Sequence, residues 1–359
     1  MLVFLFVLLI LAVILQIISL RDGLDHIRFD FRPSAKEIEP GTRFYLDLAF
    51  SNTWYLPVSF LQGDIFVPKA LDFPEEAIVE EGNFTNTLTY STSLGMKKKV
   101  TARIPVSAEK RGIHHFTGAN LQRGDFFGLY EVGRRWDTTG SILVYPAPMQ
   151  NHTLLETLGN IYGEMVAKQF LIKDPILTTC CREYTGQEPM HTISWNQTAR
   201  HGQLMVREFD PTRELSCVIL LAHEGLSKEN EHLLDLCCSI ARSSGDYLMD
   251  RGVAIEFFTN SAMSGFARNA VRHISSNKDT ARDYWAGLAT LLTHGAGSLN
   301  MLADTAIRQS NDASSFILIA PTRTPKIDSL AAKLSQVAGS SFHLILAESF
   351  MEREVENVG

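Results

Sequence analysis

The sequence predicts a multidomain chain with an N-terminal transmembrane helix, an all-β sandwich and an α/β domain built on a mainly parallel sheet. Three observations lead to this fold class. The chain begins with an apolar run, continues with segments that alternate at a period of two, and ends with alternating strand-like and helix-like segments. The predicted boundaries are 1–20 for the transmembrane helix, 25–147 for the β-sandwich, 150–180 for a helical connector, 181–211 for a polar segment and 213–350 for the α/β domain.

The apolar run at 1–20 decides the class of protein. Only Gln16 and Ser19 interrupt MLVFLFVLLILAVILQIISL, and about 20 apolar residues are enough to span a bilayer as a helix. A cleavable signal peptide is the alternative, but no Lys or Arg precedes the run and the residues after it form a poor cleavage site. Basic residues follow the run, so the positive-inside rule predicts a single-pass protein of the cell membrane, anchored in lipid, with its body in the cytoplasm.

Composition allows sizeable cores and argues against one class of partner. The chain has 359 residues, of which 45% are hydrophobic, and its net charge at pH 7 is −7. A general attraction to nucleic acid is therefore not expected. The longest basic run, at 97–99, is typical of a solvated turn.

Cysteine usage agrees with a reducing compartment. The five cysteines are an odd number and include two adjacent pairs, and neighbours in sequence rarely bridge each other. No disulfide framework is expected. Cys217, in a strand-like run, and Cys237, on an apolar helix face, are interpreted as small buried hydrophobes.

The segment 25–147 has the alternation of β-strands. Phe44, Leu46, Leu48 and Phe50 alternate with more polar neighbours, and similar runs recur between turn signals rich in glycine. Short alternating strands at this spacing predict an immunoglobulin-like β-sandwich.

The last part of the chain alternates between strands and helices. LSCVILLA at 215–222 is a continuous apolar run, which is typical of a strand buried on both faces. An apolar stripe over 232–252 predicts the next helix, and further helices are expected near 281–294, 299–310 and 326–338. Ligands bind beyond the carboxyl ends of the strands in such sheets. A ligand site is therefore expected where LSCVILLA ends.

The polar segment 181–211 carries a family resemblance. REYTGQEPMHTISWNQTARHGQLMVREFD resembles the hallmark of the bacterial family called domain of unknown function 58, and KRGIHHFTGANLQRGDFFGLYE at 110–131 resembles the family's upstream motif. We call 181–211 the hallmark segment. The candidate interaction or latch residues in it are Arg182, Tyr184, Glu188, Ile193, Trp195, Thr198 and Arg200.

The resemblance implies an architecture and a partner. The implied architecture is a membrane anchor, a β domain and a von Willebrand factor A-like domain. Members of the family are commonly encoded beside MoxR-type AAA+ ATPases, so the resemblance implies that the A-like domain docks such an ATPase, in envelope-related assembly or stress handling.

The resemblance also raises the question of a metal. A-like domains often carry an Asp-x-Ser-x-Ser adhesion site for Mg²⁺ after their first strand, where hard oxygen ligands suit the ion. Ala222, Glu224 and Leu226 stand at those positions here. Because Ala and Leu offer no ligand oxygen, the adhesion site is degenerate, and neither a metal nor a cofactor is expected.

Motifs for catalysis are incomplete. His223 and Glu224 begin a His-Glu-x-x-His pattern, but Ser227 ends it, which excludes a zinc protease of that type. GAGSLN at 295–300 follows a predicted helix rather than a strand, so it is interpreted as a helix stop and not as a nucleotide loop. A non-enzymatic adaptor is therefore expected. The alternatives are an outward-facing binding protein and an enzyme that uses the stretch at 180–210.

The role of the hallmark segment stays open between two main interpretations. Arg182 and Arg200 are suited to tie loops through bidentate bonds, and Trp195 offers a large apolar body with one N–H donor. The favoured interpretation is a structural latch between the two domains. The second is a docking surface for a partner, and catalysis comes third because these residues supply neither a nucleophile nor a proton-transfer group.

Overall fold

A computed structural model of the protein divides into two compact units, Met1–Ala147 and Pro148–Gly359. Each unit has a core of its own. The structure describes residues 4–7, 10, 14, 24–124, 131–137, 140–171, 178–186, 190–209, 215–224, 226, 230–264, 271–294, 297–310 and 315–351.

The first unit is a β-sandwich, as the alternation in the sequence predicts. Its strands are grouped into sheets of order β1-β3-β8-β5, β11-β10-β4-β7-β6 and β2-β12-β9. All their pairings are antiparallel except that of β2 with β12, which is parallel. The strands are β1 (Ile27–Pro33), β2 (Glu37–Ile38), β3 (Phe44–Asn52), β4 (Val58–Pro68), β5 (Leu71–Asp72), β6 (Ile78–Glu80), β7 (Thr85–Leu94), β8 (Lys99–Ala108), β9 (Gly112–Phe116), β10 (Gly118–Gly124), β11 (Glu131–Trp136) and β12 (Gly140–Val144).

The sandwich core is filled from alternate strand positions. Phe44, Leu46, Leu48 and Phe50 of β3 are all buried, and they join one cluster with residues of β4 such as Ile65. Successive side chains of a strand point to opposite faces, so every second residue of β3 reaches this cluster. The finer prediction of an immunoglobulin-like topology stays a prediction.

The second unit combines a mixed sheet with helices and a separate hairpin. The hairpin is formed by β13 and β14, and the sheet has the order β17-β16-β15-β18-β19. The helices are α1 (His152–Leu171), α2 (Trp195–His201), α3 (Glu231–Met249), α4 (Ala281–Ala289), α5 (Leu299–Gln309) and α6 (Pro325–Ala338), and the strands are β13 (Thr178–Glu183), β14 (Met205–Phe209), β15 (Ser216–Leu221), β16 (Ala254–Thr259), β17 (Arg272–Ser276), β18 (Ser315–Ala320) and β19 (Phe342–Leu346).

The mixed sheet has a packed core on both of its faces. On one face, strand residues such as Ile219 and Phe257 pack against helices α1, α3 and α4. On the other face, Leu220 and Phe258 pack against helices α5 and α6. The continuous apolar run LSCVILLA therefore forms a strand that is covered on both sides, as predicted. The segment predicted as a connector contributes helix α1 to this unit, beginning after Asn151, whose Oδ1 accepts the N–H of Thr153 at 2.9 Å.

The predicted transmembrane helix is corrected. A membrane span needs about 20 consecutive apolar residues in one helix. Throughout the described part of the chain, no helix has the length and hydropathy to cross a membrane. Of the predicted span 1–20, helical residues are described at 4–7, 10 and 14, and the rest lies outside the described residues. The prediction of a single-pass cell-membrane protein with a cytoplasmic body, which depended on this helix, is wrong with it.

The predicted fold class of the second unit is corrected as well. The family resemblance implies a von Willebrand factor A-like domain, and the alternation of strands and helices predicts a mainly parallel sheet. In the structure the sheet is mixed, because β17 is a strand that pairs antiparallel with β16. The sequence does not predict this strand because it has five residues, RHISS, of which only Ile274 is apolar. It therefore shows no continuous apolar run. The von Willebrand factor A-like assignment is not retained.

Candidate functional site

The hallmark segment forms a small unit around a hairpin. Strands β13 and β14 pair antiparallel, and Ile193 makes an isolated bridge to Val206. Both of these side chains are buried. Between the strands, helix α2 begins after Ser194, whose N–H donates to the carbonyl oxygen of Met205 at 2.8 Å. The hairpin and the helix are thus joined through the backbone.

Thr198 and Tyr184 close this unit. The hydroxyl Oγ1 of Thr198 accepts a hydrogen bond from the N–H of Met205 at 3.0 Å, which ties helix α2 to strand β14. The N–H of Tyr184 donates to the carbonyl oxygen of Leu204 at 2.9 Å. The helix ends at Gly202, whose φ of 72° lies in the left-handed region that glycine adopts without strain. The Thr198 side chain and the Tyr184 backbone thus help to hold this unit together.

The other candidate residues of the hallmark segment lie at the surface or outside the described residues. Trp195 is 63% exposed, so its indole is not part of a buried core. Arg182 donates from Nη1 to the adjacent carbonyl oxygen of Glu183 at 3.3 Å, and Arg200 is exposed in the last turn of helix α2. Glu188 lies outside the described residues. The structure therefore brings Ile193, Thr198 and Tyr184 into one framework and leaves Trp195 on its surface.

The three degenerate adhesion positions have different surroundings. Ala222 is fully buried, and Leu226 donates its N–H to the carbonyl oxygen of Thr293 at 3.1 Å. The carboxylate of Glu224 forms an ion pair with the Lys326 ammonium at 3.1 Å. In the described part of the chain, no group of three or more His, Cys, Asp or Glu side chains is placed to hold a metal ion.

A cleft lies at the carboxyl end of strand β15, where the sequence predicts a ligand site. Its volume is ≈ 300 Å³. His223 and Glu224 enter it directly after β15, and Lys326 enters it from the first turn of helix α6. The rest of the lining comes from the start of helix α5 and the second turn of α6: Gly297, Ser298, Leu299, Asn300 and Ser329.

Asn260 holds two walls of this cleft together. Its side chain, fully buried, donates from Nδ2 to the carbonyl oxygens of His223 at 2.7 Å and of Gly297 at 3.0 Å. Its Oδ1 accepts the N–H of His223 at 3.1 Å, and its own carbonyl oxygen accepts the N–H of Gly297 at 2.7 Å. The first residue after β16 is therefore hydrogen bonded to the second residue after β15 and to the residue that precedes Ser298 at the start of helix α5.

His223 is a neutral group within the cleft wall. The side chain is 1% exposed, and burial lowers its pKa from 6.5 to about 4, because the charged imidazolium is poorly solvated there. At neutral pH the charges in the cleft are thus those of Glu224 and Lys326. The cleft offers hydroxyl, amide and charged groups, an arrangement suited to binding a polar ligand.

The sequence predicts the side of the cleft that follows β15, but it does not predict the side formed by helices α5 and α6. The end of LSCVILLA predicts the position of His223 and Glu224. The same rule, that ligands bind beyond the carboxyl ends of strands, also points to Asn260, because this residue directly follows the next strand, β16. No sequence pattern places Lys326 and Ser298 in the cleft. They lie at the starts of two helices, and the sequence does not show which helices pack beside the end of β15.

Comparisons with known proteins add little. No family model matches the chain. An uncharacterized protein of Bacillus subtilis (strain 168), YeaD, is 20% identical over 207 residues, which is 58% of this chain and 50% of that protein. The chain thus spans about half the length of the curated relative it matches, and this similarity transfers no activity.

Two similar solved structures each cover about a third of the chain. A CARDB domain from Pyrococcus furiosus, solved in complex with di-metal ions, is 12% identical with a TM-score of 0.23 and covers 33% of this chain and 86% of that chain. A cohesin module from Clostridium perfringens is 10% identical with a TM-score of 0.23, covering 33% and 95%. Similarities at this level carry no inference about function.

Proposed function

We propose that this protein is a non-enzymatic adaptor that docks a protein partner through the exposed side of its hallmark segment. The partner we propose is a MoxR-type AAA+ ATPase, which the resemblance to the domain of unknown function 58 family implies. The observation that carries the proposal is the exposure of Trp195, 63%, on a segment whose own backbone is closely hydrogen bonded.

An exposed tryptophan on a rigid support is suited to recognition. Trp is enriched among the few residues that dominate binding energy at protein interfaces. The hallmark segment also exposes Met190 and Leu204, and single exposed apolar residues would be ordinary on any surface. The hairpin and helix α2 restrain the backbone that carries Trp195, so less conformational entropy is lost on binding.

The exposure of Trp195 favours docking over the latch. Truncating a buried Trp costs about 3–5 kcal/mol, but that figure includes the cavity left behind and does not apply to an exposed ring. Substitutions at exposed positions usually change stability by about 0.5 kcal/mol or less. A docking role therefore predicts a loss of partner affinity without a loss of stability.

The test measures binding of the full chain to a purified MoxR-type AAA+ ATPase. We expect Trp195→Ala to weaken the affinity about tenfold or more while the Tm is unchanged. Tyr55→Ala, which removes another aromatic side chain of similar exposure in the first unit, is the matched control and should leave both unchanged. A lower Tm with unchanged affinity would support the latch instead, and failure of the wild-type chain to bind would refute the partner.

A further inference from the structure

The cleft beyond β15 is a second site that docking through Trp195 does not use. Its charged groups are Glu224, whose side chain is 29% exposed, and Lys326, whose side chain is 76% exposed. We propose that this cleft binds a carboxylate group of an acidic peptide segment, and that Glu224 occupies in the free protein the place that the ligand's carboxylate takes beside Lys326.

The position of the cleft in the sheet supports a ligand site. The chain leaves β15 through helix α3, on one face of the sheet, and pairs next as β16 on one side of β15. It leaves β18 through helix α6, on the other face, and pairs next as β19 on the far side of β18. The two connections run in opposite directions, so a crevice opens between the carboxyl ends of β15 and β18. Such a reversal point is where open sheets with parallel strands bind ligands.

The crevice is preformed rather than collapsed. The buried Asn260 side chain holds His223 on one wall and Gly297 on the other through three hydrogen bonds. A wall fixed in this way keeps its shape without a ligand, which lowers the entropy that binding has to offset.

The chemistry of the lining selects a carboxylate. Lys326 has three N–H donors, the hydroxyl of Ser298 adds one, and the amide of Asn300 adds two more. The ammonium of Lys326 is the more exposed partner of the ion pair, so an approaching anion meets it first. A cationic ligand would have to displace Lys326 to reach the less exposed Glu224.

The existing ion pair is easy to exchange. Exposed ion pairs contribute little net stability, because solvent screening and the entropy of two long side chains offset their attraction. A second carboxylate can therefore replace Glu224 beside Lys326 at small cost. Glu224 therefore competes with the ligand's carboxylate for Lys326. Removing the charge of Glu224 should strengthen binding of the ligand.

The experiment measures fluorescence anisotropy of a labelled glycine-serine peptide carrying four glutamates, titrated with the full chain. Glu224→Gln should tighten binding about tenfold, and Lys326→Gln should weaken it by a similar factor. Asp304→Asn and Lys333→Gln are the matched controls, because they break another ion pair that involves helix α6, at 2.6 Å, away from the cleft, with the same changes in net charge. Both controls should leave binding unchanged.

Two outcomes would overturn the proposal. Equal effects of Glu224→Gln and Asp304→Asn would show a response to net charge alone, and no binding by either the wild type or Glu224→Gln would remove the site. Ser298→Ala, a mild change at an exposed position of the lining, gives a second arm if a charge variant is unstable, and it should weaken binding severalfold. The probe here is the peptide and not the ATPase, and Trp195→Ala should bind the peptide as the wild type does. A negative result for this cleft is therefore distinct from a negative result for docking through Trp195.

Discussion

Both polar atoms of the Asn260 side chain form hydrogen bonds with the backbone of His223. Its Nδ2 donates to the carbonyl oxygen of His223 at 2.7 Å, and its Oδ1 accepts the N–H of His223 at 3.1 Å. The pairing resembles one rung of a β-ladder, made by a side chain. It extends the connection between β15 and β16 to the second residue beyond the end of β15, and it shapes the cleft.

Replacing Asn260 with Ala should destabilise the protein by roughly 2–4 kcal/mol. The change removes three hydrogen bonds of a fully buried side chain and leaves backbone groups of His223 and Gly297 without this partner. Urea denaturation measures the effect. Asn300→Ala, at an exposed position of the same cleft, should change the unfolding free energy by about 0.5 kcal/mol or less. An Asn260→Ala protein as stable as the wild type would contradict the role assigned to this side chain.

Acid should weaken the fold through His223. Burial lowers its pKa from 6.5 to about 4 in the folded protein. Between these two values the unfolded chain binds a proton that the folded chain does not, so the unfolding free energy falls as the pH drops through this window. The contribution amounts to roughly 3 kcal/mol at most.

Unfolding measured from pH 7 to pH 4 tests this contribution. His223→Gln should show a smaller loss of stability over the window than the wild type does. His201→Gln, which changes an exposed histidine, should follow the wild-type curve. If the curves of the wild type and His223→Gln run parallel, the histidine is not buried in its neutral form.

Gly245→Ala should be destabilising although alanine favours helices. A methyl group at Gly245 of helix α3 would lie 3.0 Å from Cζ of Tyr284. That ring is fully buried, and its hydroxyl donates to the carbonyl oxygen of Ala241 at 2.6 Å, so it has little freedom to move aside. Overpacking of this kind costs about 1–3 kcal/mol.

Gly163→Ala is the control for Gly245, and its effect should have the opposite sign. A methyl group at Gly163 of helix α1 meets nothing within 4 Å. Alanine is favoured over glycine inside helices by about 0.5–1 kcal/mol, so the Tm should rise. Equal effects of the two substitutions would show that helix propensity outweighs packing at Gly245.

Asn52→Ala should destabilise the β-sandwich. The buried side chain of Asn52 donates to the carbonyl oxygens of Leu56 at 2.7 Å and of Gly95 at 3.2 Å, and accepts the N–H of Trp54 at 2.9 Å. The loss of these bonds between two loops should cost roughly 2–4 kcal/mol, seen as a lower Tm in calorimetry. Asn83→Ala, at an exposed position, should leave the Tm in place. A Tm for Asn52→Ala equal to that of Asn83→Ala would refute the argument.

The sequence by itself determined most of the local structure. The alternation of Phe44 to Phe50 predicts strand β3, and the unbroken apolar run at 215–222 predicts the central strand β15. These predictions succeed because the direction of a side chain in a strand or helix follows from backbone geometry, which needs no knowledge of the partner element. The same rule located His223 and Glu224 beyond the end of β15.

Tertiary structure decided the rest. The type of residue does not state whether a tryptophan is buried, and the structure shows that Trp195 is exposed. Strand β17 forms by pairing with the edge of β16. The segment is too short and too polar for its sequence pattern to predict a strand. Lys326 reaches Glu224, and Asn260 reaches His223, because crossover connections bring the ends of separate strands together. Contacts between segments so far apart in sequence depend on how the elements pack, and no local pattern of residues carries that information.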